Sequence, residues 1–259
     1  MIRIAHLSDI HFGDENAAAV EAATAWLAAD PPDLTIVSGD LTRFGEKNEF
    51  ATAAAWLRRL PEPRLVTPGN HDAPYLAWVQ RLFRPFARYE AVIGPAEAVQ
   101  WLGQGLAVYG LNTARGVQPR ANWSKGQISA RQVDAALAWF AKAPTDWARI
   151  LVVHHPLVEM IGAPMTGRVW GGAAAAARLA QAGIAMVLSG HVHAPFLLPF
   201  PQGRMAAVGA GTLSVRERGV PASFNLIEID EAEIRVSALA WTGTRFEPFR
   251  AWGHTRGRT

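Results

Sequence analysis

The chain has 259 residues, half of them hydrophobic, with no cysteine and a net charge of +3. A chain of this length buries roughly 70 to 75% of its unfolded surface. No cysteine means no disulfide and no thiolate metal ligand, no apolar run approaches the roughly 18 residues of a membrane span, and the cations form no basic stripe with interleaved aromatics of the kind nucleic acid requires.

Residues 2–7 read as a strand, and nothing in them resembles the apolar core and cleavage site of a signal peptide, so a cytoplasmic address is expected. Asp9-Ile10-His11 stands at the strand's carboxyl edge, where residues i and i+2 share a side and can face one point. Residues 17–29 are Ala-rich with Trp26 and Leu27 on an apolar stripe, a helix stopped by Pro31-Pro32. Residues 34–37 are a buried, parallel-type strand that delivers Gly39-Asp40. A second helix, 49–60, leads to a third strand, 64–67, which delivers Gly69-Asn70-His71-Asp72. This rhythm is α/β, and such sheets bind ligands at their strand ends.

From 75 to 104 the pattern blurs: Trp78, Val79, Leu82 and Phe83 suit a helix, while Pro85 and Pro95 interrupt it. A strand at 106–111 precedes a loop, 112–126, that holds Arg115, Arg120, Asn122 and Trp123. An amphipathic helix at 130–141 is followed by a buried strand, 149–153, ending in His154-His155-Pro156. Residues 157–172, with Met160, Met165 and Trp170, read as a long loop near the site. A helix at 173–182 and a strand at 184–188 lead into Gly190-His191-Val192-His193. Segments 205–208, 224–229 and 234–239 are expected to form antiparallel strands of a second sheet. The reading is one domain, 1–250, with a basic tail, 251–259, frayed from Trp252.

Six of the eight histidines, His11, His71, His154, His155, His191 and His193, stand in loops directly after apolar strands. A lone buried histidine is usually satisfied by a backbone carbonyl, but core histidines scattered by chance do not concentrate in this way. Two cations about 3.5 to 4 Å apart, sharing a bridging carboxylate, clamp the attacking and leaving oxygens of a phosphoryl displacement. Imidazole, carboxylate and amide oxygen without sulfur suit Mn, Fe, Zn or Co better than Ca.

The ordered series DxH, GD, GNHD, HH and GHxH resembles the calcineurin-like metallophosphoesterase superfamily, and within it bacterial cyclic-nucleotide and glycerophosphodiester phosphodiesterases. The resemblance runs from Asp9 to about Leu239. It implies a four-layer α/β/β/α sandwich with two mixed sheets, of the metallo-dependent phosphatase type. It further implies one metal on Asp9, His11 and His193, a second on Asn70, His154 and His191, and Asp40 bridging them. His71 would bind the phosphoryl oxygen or protonate the leaving alkoxide, and a hydroxide between the metals would be the nucleophile. His155 is expected beside the ligands or facing substrate, and Asp72 in a turn or behind the ligands. Serine/threonine protein phosphatases read GDxVDRG where this chain has Arg43 in place of the orienting acid, so His71 must be oriented by something else.

The implied activity is hydrolysis of small phosphodiesters. Alternatives are a phosphomonoesterase, a lipid-linked phosphoester hydrolase, or a catalytically silent scaffold of the same fold. The motifs themselves bring almost no Arg or Lys, which favours a diester, since it carries one negative charge fewer than a monoester. Arg115 and Trp123, with His155, are the candidate substrate contacts; no nucleic-acid partner is expected, and a homodimer is allowed.

Overall fold

Alternation along the buried strands sorts the apolar side chains into three layers. In β1 (Ile2–Leu7), Ile4 faces one layer while Ala5 and Leu7 face another. In β2 (Leu34–Ser38), Leu34 and Ile36 part from Val37 in the same way. In β6 (Ala148–Val152), Ile150 and Val152 join the central layer and Leu151 faces outward. Strands apolar on both faces must be covered on both sides, so two sheets stack and helices close the outside.

This computed structural model describes residues 1–158, 169–200 and 205–256. The remaining elements are α1 (Ala17–Ala29), α2 (Lys47–Leu57), β3 (Arg64–Thr67), α3 (Trp78–Phe83), α4 (Ala87–Val92), β4 (Ala98–Gly103), β5 (Leu106–Leu111), α5 (Ala130–Phe140), α6 (Gly172–Gln181), β7 (Met186–Ser189), β8 (Phe196–Pro199), β9 (Ala206–Gly209), β10 (Ser223–Ile229), β11 (Glu233–Trp241) and β12 (Phe246–Thr255). The first sheet has the order β12-β11-β10-β1-β2-β3 and the second β4-β5-β6-β7-β9-β8. Helices α1 and α2 pack outside the first through Leu27, Phe50 and Trp56. On the second sheet, α5 and α6 pack through Val133, Phe140 and Leu179. The result is the α/β/β/α sandwich with two mixed sheets.

The three late segments do not stay together. β10 lies antiparallel to β1, with Ile4 opposite Ile227, and β11 follows it in the first sheet. β9 instead joins the second sheet, parallel to β7. Periodicity says which faces of a strand are buried, and it is silent on which edge the strand joins. The expected tail is also corrected: β12 pairs with β11 as far as Thr255. An edge strand tolerates the Arg and Pro residues of this stretch, and Pro248 sits at a register shift opposite Leu239.

A candidate two-metal centre

β1, β2 and β3 run parallel, as do β6 and β7, so all five motif loops leave the carboxyl ends of neighbouring strands. Among the described residues, six other than glycine have positive φ, and five of these are Asp9 (56°), His11 (50°), Asp40 (52°), His191 (70°) and His193 (58°). Left-handed backbone is costly for such side chains and gathers where the surrounding structure imposes it. Two motif glycines are required by close approach: a Cβ on Gly69 would collide with the Asp40 carboxylate, and one on Gly190 with the side chains of Ser8 and Asp9.

Three imidazoles are turned the same way. Nδ1 of His11 meets the Thr42 carbonyl at 3.3 Å, Nδ1 of His154 meets that of Ser38 at 2.8 Å, and Nδ1 of His193 that of Arg216 at 2.8 Å. A carbonyl only accepts, so each Nδ1 carries the hydrogen and each Nε2 points a lone pair inward. Those lone pairs converge on oxygens and on each other: His193 Nε2 is 3.1 Å from Asp9 Oδ1, His154 Nε2 is 3.2 Å from Asp40 Oδ2, and His11 Nε2 is 3.3 Å from His193 Nε2. Asp9 Oδ1 and His154 Nε2 are buried and make no hydrogen bond of acceptable geometry despite these short approaches. Electron pairs converging in a buried space repel unless a proton or a cation lies between them. This donor set fits metal ions.

Asp40 stands between the two halves, its Oδ2 3.7 Å from His11 Nε2 on one side and 3.2 Å from His154 Nε2 on the other. Its other oxygen accepts the His71 backbone N–H at 2.8 Å, and Asp9 Oδ2 accepts that of His191 at 2.9 Å, so both carboxylates are fixed by backbone. Asp9, His11 and His193 form one group close enough to share an ion, and His154, His155 and His191 form another.

A profile of the calcineurin-like phosphoesterase family matches residues 2–195. The chain belongs to this family. Over 229 residues, 85% of the chain and 74% of the relative, it is 26% identical to a probable cyclic nucleotide phosphodiesterase of Synechococcus. Over 80 residues it is 35% identical to the glycerophosphodiester phosphodiesterase GpdQ of Enterobacter lignolyticus, a match that spans 27% of the chain and 29% of that relative. Its fold resembles a purple acid phosphatase from yellow lupin (TM-score 0.74, 10% identity, 98% of this chain and 54% of that one). It also resembles a dimetal phosphatase from Danio rerio (TM-score 0.71, 11% identity, 99% of each chain).

The protonation of the centre follows from burial and close charges. Burial depresses His11 and His191 to about 3, leaving neutral imidazoles with a lone pair to give. Burial would lower His154 too, but the adjacent Asp40 carboxylate carries it up to about 9. Burial would raise Asp9 and Asp40, yet His193 and His154 respectively hold them below the usual carboxylate range. Until a cation takes its place, a proton between His154 and Asp40 balances the charge.

His71 stands beside this cluster with a different set of partners. Its Nδ1 donates to the Arg43 carbonyl at 2.6 Å, and Tyr75 stacks on the ring at 5.2 Å and 21°. The backbone of Arg43 thus does the orienting that its side chain cannot. Nε2 receives only a long contact, 3.4 Å, from Arg216 Nη1. Asp14 holds Arg216 at 2.9 Å and Arg43 at 2.8 Å, so two guanidiniums share one carboxylate next to His71. The sequence reading missed Tyr75, Asp14 and Arg216, and Arg216 brings beside His71 a guanidinium that no motif supplies. Arg216 lies beyond the matched segment, in the loop between β9 and β10, with no motif around it.

His155, although close to His154 and His191, has other partners for both ring nitrogens. Nδ1 pairs with Thr113 Oγ1 at 2.8 Å, while Nε2 lies 2.7 Å from the Ser124 carbonyl and 3.2 Å from Asn70 Oδ1. Both nitrogens are engaged, and the ring is buried against Asn70. Arg115 is turned to the Asn112 and Ala114 carbonyls and to Gln132 Oε1, which engages its guanidinium in the fold instead of the centre. Trp123 is partly exposed, with Arg81 over its ring. Trp170 is bonded through its backbone to Gly126 and Ile128, while Met160 and Met165 lie outside the described residues. A cavity of about 770 Å³ lies at the opposite ends of the strands, between Ile2 and Ala148, and holds no cluster of metal-ligating side chains among its described residues. Among the described residues no helix is long and apolar enough to cross a membrane.

Proposed function

We propose that the chain is a two-metal phosphodiesterase acting on small diesters of the cyclic-nucleotide or glycerophosphodiester kind. The observation that carries this is the meeting of two buried donor groups at Asp40, beside a histidine whose Nδ1 is fixed by a carbonyl. In this reading Asp9, His11 and His193 hold one ion, Asn70, His154 and His191 the other, and Asp40 both; the bound cations neutralise phosphoryl charge and acidify water.

The remaining work falls to the protein's own groups. His71, anchored at Nδ1 and restrained by Tyr75, presents Nε2 where it can bind a phosphoryl oxygen or pass a proton to the leaving alkoxide. Arg216 reaches the same Nε2 and can turn to an equatorial phosphoryl oxygen. Two arginines sharing Asp14 bring one net positive charge, the complement of a diester's single negative charge. The relative matched over most of the chain, named as a probable cyclic nucleotide phosphodiesterase, supports the same class.

The test is hydrolysis of bis-p-nitrophenyl phosphate and p-nitrophenyl phosphate by protein reconstituted with Mn, Fe, Zn or Co. A diester preference is expected. A large monoester preference overturns the assignment, and two bound ions with no cleavage of either compound would indicate a scaffold.

A further inference from the structure

Helix α3 is inside out. Its one charged residue, Arg81, is buried, with Nε donating to the Gly116 carbonyl at 2.7 Å and Nη1 to that of Ala73 at 3.0 Å. Its apolar side chains look outward: Trp78 is 70% exposed and Phe83 75%, with Val79 and Leu82 also open and Leu76, just before the helix, 79% exposed. Fourteen large hydrophobic residues are exposed among the described ones. Six lie between Tyr75 and Phe83, and Val117 and Trp123 stand in the loop that Arg81 ties to α3. A cluster of this kind marks a surface that is covered when the protein works.

Charge identifies what covers it. Residues 73–89 and 110–130 contain no Asp or Glu although the chain has 22, and they bring five arginines and Lys125. Arg84 is exposed and Arg81 donates to neutral carbonyl oxygens, while Arg88 is paired with Glu46 and Arg115 lies close enough to Glu97 to feel its charge. Apolar side chains rimmed by cations suit an anionic lipid surface, where aromatic rings settle at headgroup depth and each nearby cation adds attraction. A two-fold contact with a second copy would instead set the same acid-free segments against each other.

We propose that α3 and the Trp123 loop dock on an anionic phospholipid bilayer, with Leu76, Trp78, Val79, Leu82 and Phe83 entering the interface. Tyr75, partly exposed at one end of this patch and stacked on His71 at the other, sets the docked face beside the metal centre. The inference stands on this surface and not on the substrate assigned above.

The full chain is sedimented with vesicles of phosphatidylcholine alone and of phosphatidylcholine mixed with phosphatidylglycerol. Binding to the mixed vesicles, weaker binding to the neutral ones and release by added salt are expected. Trp78→Ser/Phe83→Ser should lower partitioning about tenfold or more, with Arg84→Glu intermediate and the thermal midpoint unchanged in both. No binding to mixed vesicles, or equal binding by the double variant, overturns the proposal. So does a dimer in sedimentation velocity that the double variant abolishes, which would assign the face to a second copy.

Discussion

Thr42 gives both its backbone N–H and its hydroxyl to Asp72 Oδ1, each at 3.0 Å. The other oxygen of Asp72 takes the N–H groups of Gly69 at 2.8 Å and Leu41 at 3.3 Å. One buried carboxylate thereby fastens the loop carrying Asp40 to the turn carrying Asn70 and His71. Asp72→Ala would strand several buried donors and should destabilise the fold by about 3 to 5 kcal/mol. Urea unfolding measures this; a loss near that of a surface substitution would show the clamp to be dispensable.

Asp40 lies within reach of both donor groups. Asp40→Ala should therefore lose both ions and turnover together, whereas His193→Ala, which touches only the Asp9 side, should lose one ion first. Metal content by elemental analysis after dialysis separates the two patterns. A variant without Asp40 that kept two ions and its activity would remove the bridging role.

What the sequence disclosed and what it hid divide along a physical line. Asp9, His11, Asp40, Asn70, His154, His191 and His193 stood out because each sits in a short contiguous motif after an apolar run, and the fold gathers them. Arg43 could not be read, because the atom that orients His71 is a backbone carbonyl, which every residue type possesses. Arg216 arrives from a loop with no periodicity, 145 residues from His71. The spacing of Trp78, Val79, Leu82 and Phe83 indicated a helix, and α3 is one; that Arg81 takes the inward face is a fact of packing. Likewise β9 and β10 were visible as strands, while their division between two sheets depends on partners far along the chain.

Because His71 is held by a backbone atom, its role separates cleanly from those of its neighbours. His71→Ala should keep the metals and slow turnover about 10²-fold or more. Arg43→Ala retains the carbonyl and should leave kcat within about threefold, while Arg216→Ala should raise KM about tenfold with little change in kcat. Steady-state kinetics with bis-p-nitrophenyl phosphate checks all three. If Arg43→Ala proved as damaging as His71→Ala, its side chain and not its carbonyl would be the part that matters.

His6 offers a test of burial outside the donor set. It lies between the sheets with Nε2 2.9 Å from Ser38 Oγ, and its Nδ1 is buried without a partner. Loss of hydration, only partly offset by Asp9, lowers its pKa from 6.5 to about 3. Above pH 6.5 the ring is neutral whether the chain is folded or not, and it adds no pH dependence. Below that, the unfolded chain binds a proton the folded chain refuses, so stability falls as pH drops, by about 1.4 kcal/mol per unit, until the folded ring also titrates near pH 3. His6→Gln keeps a partner for Ser38 and removes this proton from the balance. In chelator, with other groups titrating alike in both proteins, the stability of wild type should fall more steeply than that of the variant between pH 6.5 and 4. Parallel profiles from urea unfolding across that range would mean that His6 is protonated in the folded chain as readily as in the unfolded one.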